Sequence, residues 1–254
     1  MIKEHLCIVK SNTQIAQDIY LLTMQNNEIA QKAQSGQFVM LAVPGFFLRR
    51  PFCIANVDCH GGHFSLLYAL VGQGTRTLST IQTGDTLSAV APLGRGFNPV
   101  QKKQVLVIAG GIGSAVAMQL CKELIERKNE VDLVLGFRSS LTSIPVEFFP
   151  QECNVQISTE DGSMGTKGFV TDILPANVAD YAAIYMCGPL PMYKALTPFL
   201  SKSQNIMASF EARMGCGYGL CVGCSIKVGG CMKKVCTDGP VFNFYDVDLD
   251  YLCV

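Results

Sequence analysis

Five of the chain's twelve cysteines fall between Cys216 and Cys236, and their spacing is its strongest chemical signal. Cys216, Cys221 and Cys224 read C-x4-C-x2-C, and Cys236 follows after eleven intervening residues. This is the plant-type [2Fe–2S] spacing, in which four thiolates converge on two irons. Gly217, Gly219 and Gly223 allow the tight loop this needs, and free amides near the sulfurs would tune the potential. Zinc is the competing metal, but its structural sites favour two C-x2–4-C pairs, and only one C-x2-C is present. Cys231 competes with Cys236 for the last ligand position. It follows Gly229-Gly230 and precedes Lys233-Lys234, which reads as an exposed turn tip.

Weaker signals lie upstream. Gly110-Gly111-Ile112-Gly113 follows an apolar run and precedes a helical pattern, where glycines let a nucleotide approach a helix N-terminus. A ligand-free strand-to-helix turn would look the same. Cys187-Gly188-Pro189 closes another apolar run, and ligands of α/β sheets gather at such strand ends. A buried cysteine before a turn is the plainer reading. Arg49-Arg50-Pro51-Phe52-Cys53 offers a guanidinium that could pair with a diphosphate, or a solvated arginine pair. Tyr68 could stack on an aromatic ring or pack in a core, and Gly72-Gln73-Gly74-Thr75 could bind phosphate or simply turn. Acidic Thr159-Glu160-Asp161-Gly162 disfavours an adenosine 2′-phosphate and so predicts NAD over NADP, with Arg138-Ser139-Ser140 as the opposing signal. His5, His60 and His63 lack metal-ligand spacing and read as surface or turn residues.

The elements that must position these residues change character along the chain. Residues 1–100 hold about six short apolar runs separated by turn signals such as Gly61-Gly62 and Gly84-Asp85, the pattern of a small antiparallel barrel. Residues 101–202 alternate buried strands (Gln104–Ala109, Val131–Gly136, Ala182–Cys187) with helical segments (Ser114–Arg127 and about 192–200), as in a doubly wound α/β domain. Residues 203–254 form a third, cysteine-rich module. The expected fold class is therefore a β barrel plus a doubly wound α/β domain plus a small iron–sulfur module.

Composition excludes several classes. Twenty basic and twenty acidic residues give zero net charge, against a nucleic-acid binder. With 49% hydrophobic and 16% charged residues the chain is not globally disordered. The longest apolar stretch, 105–118, is broken by glycines and falls short of a membrane span. Met1–His5 shows no signal-peptide pattern, so a soluble cytoplasmic protein is expected and the scattered cysteines read as small buried hydrophobes.

Taken in order, Arg-Pro-Phe-Cys, Gly-Gly-Ile-Gly and Cys-Gly-Pro-x-Pro-Met resemble the ferredoxin–NAD(P) reductase superfamily. The run Glu211–Cys224, closed by Val235-Cys236-Thr237-Asp238-Gly239-Pro240, narrows the resemblance to electron-transfer subunits of B-type dihydroorotate dehydrogenases. The resemblance covers nearly the whole chain. It implies FAD on the barrel, touched by Arg50, Pro51, Phe52, Cys53, Leu67, Tyr68, Ala69, Gly74 and Thr75. It implies NAD at Gly110, Gly111 and Gly113, Cys187 near the nicotinamide, and a [2Fe–2S] cluster on Cys216, Cys221, Cys224 and Cys236. Two positions depart from the family pattern: Cys53 stands where Ser is usual and Ala69 where Arg is usual, leaving Arg49, Arg50 or Arg76 to supply the lost charge. The implied activity is an electron relay in pyrimidine biosynthesis. The implied partner is an FMN-containing catalytic subunit in a dimer of heterodimers; Phe242, Phe244, Tyr245, Tyr251 and Leu252 could supply a docking surface for it or, each taken singly, equally pack in the core. The runner-up is a reductase subunit of another complex, such as a sulfhydrogenase or an NADH-dependent ferredoxin oxidoreductase. An iron–sulfur scaffold without flavin is a third reading.

Overall fold

The computed structural model describes residues 3–252; Cys253 lies outside them. The first half is a closed barrel of β1 (Glu4–Ala16), β2 (Ile19–Gln25), β3 (Phe38–Leu41), β4 (Arg50–Asp58), β5 (His63–Ala69) and β6 (Thr86–Leu93). Its order is β1-β2-β5-β4-β3-β6. Closure follows from period-2 patterning. Along β1, His5, Cys7 and Val9 are buried while Glu4, Leu6 and Ile8 face out. His5 is therefore an interior residue and not the surface residue expected: its parity on β1 matches Cys7 and Val9. Two short helices decorate the barrel, α1 (Asn27–Lys32) and α2 (Gln73–Leu78).

The second half is a seven-stranded sheet. Its strands are β7 (Gln104–Gly110), β8 (Glu130–Phe137), β9 (Asn154–Thr159), β10 (Thr166–Lys167), β11 (Ala183–Cys187), β12 (Ile206–Ser209) and β15 (Val241–Asn243). Their order is β10-β9-β8-β7-β11-β12-β15, parallel except for β15. Between β7 and β8 runs α3 (Ser114–Glu126), and after β11 comes α4 (Leu190–Leu196). A hairpin, β13 (Ser225–Val228) with β14 (Cys231–Lys234), and a single turn, α5 (Val235–Asp238), complete the chain.

Alternation in the central strands divides the core. Val105, Val107 and Ala109 face α3 and the barrel residues Ala55 and Leu67, in one apolar cluster. Leu106 and Ile108 face the other way, toward α4, Phe210, Ile226, Cys236 and Phe244. The sheet does not stop at residue 202. β12 and β15 extend it, so the segment from 203 onward is partly built into the α/β layer. The reason is apolar burial: Phe242 and Phe244 are 8% and 2% exposed within the second cluster. Of the two readings these residues carried, core packing holds for Phe242, Phe244 and Leu252 (9% exposed), whereas Tyr251 is 50% exposed. The scattered cysteines Cys7, Cys121, Cys153 and Cys187 are buried as expected, but Cys59 is exposed, on the turn between β4 and β5.

Candidate functional site

The cysteine loop hangs between Phe210, at the end of β12, and the β13–β14 hairpin. Gly217 and Gly219 adopt φ of 81° and 88°, so the chain can fold back on itself there. The Cys221 N–H donates to Cys216 Sγ at 3.4 Å, and the amides of Tyr218 and Leu220 point at the same sulfur. Burial pushes the Cys216 thiol up, but these donors outweigh it and bring the group down to about 6. The Val235 N–H donates to the Cys224 carbonyl at 3.0 Å, which brings α5 beside the loop. The Cys236 thiol then meets that of Cys224; both residues are 1% exposed. Burial raises the Cys236 thiol to about 12. Cys231 is exposed and starts β14 at the turn formed by Gly229 and Gly230.

The thiols thus meet in two pairs, Cys216 with Cys221 and Cys224 with Cys236. Among the described residues no three His, Cys, Asp or Glu side chains gather as a single-ion site. Two pairs fit a two-iron cluster, which takes two thiolates on each iron, better than a lone zinc ion, which takes four at one point.

Between barrel and sheet lies a cleft of about 300 Å³. Pro51, Phe52 and Cys53 of β4, Leu67, Tyr68 and Ala69 of β5, and Thr75 of α2 form its barrel wall. Ile112, Gly113, Ala115 and Val116 form the facing wall, with Ser209, Glu211, Ala212 and Met214 at one end. A larger hollow of about 550 Å³ lies on the outer barrel surface around Lys3–Leu6 and Gln25–Glu28; it is a shallow depression without nucleotide-binding motifs. The cleft is the better candidate because three sequence motifs meet there.

The sheet topology explains the meeting. β7 and β11 are parallel neighbours whose onward connections go to opposite sides, so the strand order reverses between them. Ligands of open α/β sheets bind at such a switch point. Ala109 pairs with Cys187, which places Gly110–Gly113 against Cys187–Pro189. A Cβ on Gly113 would lie 2.3 Å from the Cys187 carbonyl oxygen, and one on Gly110 would lie 2.7 Å from Met192 Sδ. Gly111, at φ 53°, faces open space. Gly113 reaches the cleft, whereas Gly110, Gly111 and Cys187 stand behind or beside it.

On the barrel side the two arginines diverge. Arg49 is consumed by structure, donating to Glu4 Oε1 (2.6 Å), Ser88 Oγ (2.8 Å) and the Ser88 carbonyl (2.8 Å). Arg50 lies over the Phe46 ring and against Gly74, where an added Cβ would be 3.2 Å from Nε. Its guanidinium is thus at the start of α2, whose first turn is closed by Thr75 Oγ1 accepting from Val71 and Gly72 N–H. Arg76 is exposed on α2. Tyr68 is held as a core residue, donating to Asn12 Oδ1 at 2.9 Å and stacking on Tyr20 at 5.6 Å between ring centroids.

Glu211 is the cleft residue that motif reading passed over. Glu211 is exposed as a residue, but the cleft atoms packed around its carboxyl raise it modestly above the ordinary carboxylate range. It also contributes, after burial, to raising the Cys53 thiol to about 12 and the Cys187 thiol well above its usual value. The signal that could have found it is its place just beyond a buried strand, β12, in the switch-point sheet.

The segment 211–248 matches the family model described as the iron-sulfur cluster binding domain of dihydroorotate dehydrogenase B. A protein of Bacillus cereus strain Q1, the dihydroorotate dehydrogenase B (NAD(+)) electron transfer subunit, is 37% identical over 98% of this chain and 100% of its own length. This chain belongs to the dihydroorotate dehydrogenase B electron transfer subunits. A Bacillus anthracis member of that family, from strain CDC 684, shows the same identity and coverage. Among solved structures, an NADH-dependent reduced ferredoxin-NADP oxidoreductase superposes with a TM-score of 0.88 at 29% identity, covering 97% of this chain and 91% of the other. A ferredoxin reductase of carbazole 1,9a-dioxygenase shares the fold, with a TM-score of 0.70 at 20% identity over 81% of this chain and 68% of its own. This chain thus shares the pairing of barrel and α/β sheet with both structures. No helix among the described residues is long and apolar enough to cross a membrane.

Proposed function

We propose that this chain relays electrons from a dihydroorotate-oxidising, FMN-containing partner subunit to NAD+, in the cytoplasm, as part of pyrimidine biosynthesis. The observation that carries this reading is the continuity of the segment from Glu211 to Cys224. Its start closes the cleft through Glu211, Ala212 and Met214, and Cys216 follows two residues later, so a metal site and a flavin cleft are neighbours on one short stretch of chain.

The residues fit the groups the family uses. Cys216, Cys221, Cys224 and Cys236 would hold a [2Fe–2S] cluster, with the Cys221, Tyr218 and Leu220 amides donating to sulfur. Arg50 and the start of α2, with Gly74 and Thr75, would take the FAD diphosphate, and Arg50 supplies the charge missing at Ala69. Pro51, Phe52, Cys53, Leu67, Tyr68 and Ala69 would wall the flavin. Gly110, Gly111 and Gly113 would admit the NAD diphosphate, and Cys187 would back the nicotinamide. When bound, the cluster moves single electrons and the flavin exchanges them pairwise, as hydride, with nicotinamide. The chain's own contribution is to exclude water with Phe52, Ala115 and Val116, and to hold the Cys53 and Cys187 thiols uncharged beside the reacting faces.

The test is an assay of the isolated holoprotein. It should contain FAD and iron and reduce ferricyanide with NADH, yet form no orotate from dihydroorotate and NAD+ until the FMN subunit is added, giving a dimer of heterodimers. Orotate formation by this chain alone would overturn the relay. A second reading, a subunit of an NADH-dependent ferredoxin oxidoreductase, is favoured by the TM-score of 0.88 with such a structure. NADH-linked ferredoxin reduction by the native complex, without dihydroorotate turnover, would select it.

A further inference from the structure

Two of the cleft's walls belong to elements that run side by side, β4 and α3, and these are tied together beyond the cleft by side chains outside every motif. β3 pairs only with Arg50–Cys53 of β4, so the later part of β4 has an edge without a strand partner on that side. The register slips between Ile54 and Asn56, a bulge at Ala55, which is fully buried against the sheet core. α3 covers the open edge. Gln119 Oε1 accepts the Val57 N–H at 2.9 Å, and Lys122 Nζ donates to the Val57 carbonyl at 2.6 Å. Glu123 accepts both the N–H (2.7 Å) and the hydroxyl (2.6 Å) of Ser35, in the loop before β3. Gln119 Nε2 donates to Glu123 at 3.1 Å, joining the two attachments. Ser35 is fully buried, and its carbonyl accepts the Phe97 N–H at 2.9 Å, in the connector between barrel and sheet.

Positions 115, 116, 119, 122 and 123 share one face of α3. Ala115 and Val116 wall the cleft opposite Cys53, and the three polar residues grip the barrel one to two turns further on. Apolar packing between the two halves is non-directional and tolerates sliding, whereas hydrogen bonds to a strand edge and a buried serine fix tilt and register. We infer that Gln119, Lys122 and Glu123 are positioning residues, a polar clamp that sets the spacing between the flavin wall and the nucleotide turn. This rests on the function proposed above. It assigns them no contact with either nucleotide, so they govern transfer between the bound groups and not the binding of either one.

The experiment uses the FAD- and iron-loaded chain with Glu123→Ala, Gln119→Met and Glu123→Gln. In the absence of pyridine nucleotide, amide exchange at Ser35 should quicken in Glu123→Ala and at Val57 in Gln119→Met. In single-turnover mixing with NADH, flavin reduction should slow by about tenfold or more in both, because small misplacements at reacting centres are costly. The long-wavelength absorbance of reduced flavin with NAD+ should fall as well. FAD content, iron content and the NADH Kd should stay as in the wild type. Glu123→Gln, which can still accept from Ser35, should recover most of the rate. Quickened exchange with an unchanged reduction rate would overturn the clamp, as would slowing that merely tracks loss of FAD. Failure of the wild-type holoprotein to take electrons from NADH would instead overturn the functional reading.

Discussion

At the scale of single residues, Cys231 and Cys236 offer the sharpest contrast. Both are thiols near the end of the cysteine run, but Cys236 is buried against Cys224 while Cys231 is exposed at a hairpin end. Cys231→Ser is expected to keep about two irons per chain, and Cys236→Ser to lose the cluster. Iron and sulfide analysis after anaerobic reconstitution decides, and the reverse pattern would reassign the ligand. Glu211 gives a pH signature. Burial raises its carboxyl, so the folded chain binds that proton more tightly than the unfolded one. Stability therefore falls as pH rises from the ordinary carboxylate value through the raised one, and levels off above it. Glu211→Gln removes this loss, which solvent screening keeps small because Glu211 is exposed, so the variant should melt slightly higher than wild type near about pH 8, with the gap closing toward about pH 4. A gap independent of pH would show that the substitution acts through packing.

At the scale of elements, the junction of β7, α3 and β11 is set by glycine. Gly113 has helical φ, so alanine there meets no backbone strain; its cost is the Cys187 carbonyl, 2.3 Å from the new Cβ. Gly113→Ala should cost about 2–3 kcal/mol or more and weaken NADH binding. Gly111→Ala meets open space at φ 53° and should cost only about 1–2 kcal/mol of backbone strain. Denaturant melts of the two variants give the comparison, and equal losses would contradict the steric account. The ends of β8 and β9 meet where Asp161 accepts from Ser163 and Ser140 N–H donates to Ser163 Oγ. Glu160 is exposed beside them. The wild type should favour NADH, and Glu160→Arg should improve the NADPH/NADH ratio of kcat/KM about tenfold, or roughly 1.4 kcal/mol. No change in that ratio would place the selecting residue elsewhere.

At the scale of the whole molecule, the question is where a partner would approach the cluster. Phe242 and Phe244 are spent on the core, whereas Tyr251 is exposed, and Leu220 and Val222, on either side of Cys221, are 81% and 73% exposed. Exposed aliphatic side chains next to a redox centre suit a partner interface, since electron transfer needs proximity. Leu220→Asp with Val222→Asp should weaken association with the catalytic partner subunit about tenfold or more while leaving iron content and NADH–ferricyanide activity unchanged. Titration calorimetry with the purified partner measures this, and undiminished affinity would move the interface elsewhere.

What could be read from the sequence alone was what local chemistry dictates. The C-x4-C-x2-C run, the short apolar runs of the barrel separated by turn signals and the continuous apolar run of β7 each carry their meaning within a few residues. Helix α3, predicted over Ser114–Arg127, spans Ser114–Glu126. Other features depend on residues far apart in the chain and so were settled only by tertiary structure. β12 and β15 join the sheet because β12 pairs with the free edge of β11 and β15 with that of β12, their side chains entering the same apolar cluster, which a window of sequence around residue 203 does not reveal. Arg49 and Arg50 are adjacent and chemically alike, yet Glu4 and Ser88, brought in by barrel closure, take the first and leave the second facing α2. Glu211 becomes a cleft residue only when β12 is placed beside β11. Spacing along a chain specifies which groups can share a site when the loop between them is short; when they come from different strands, burial and strand order decide.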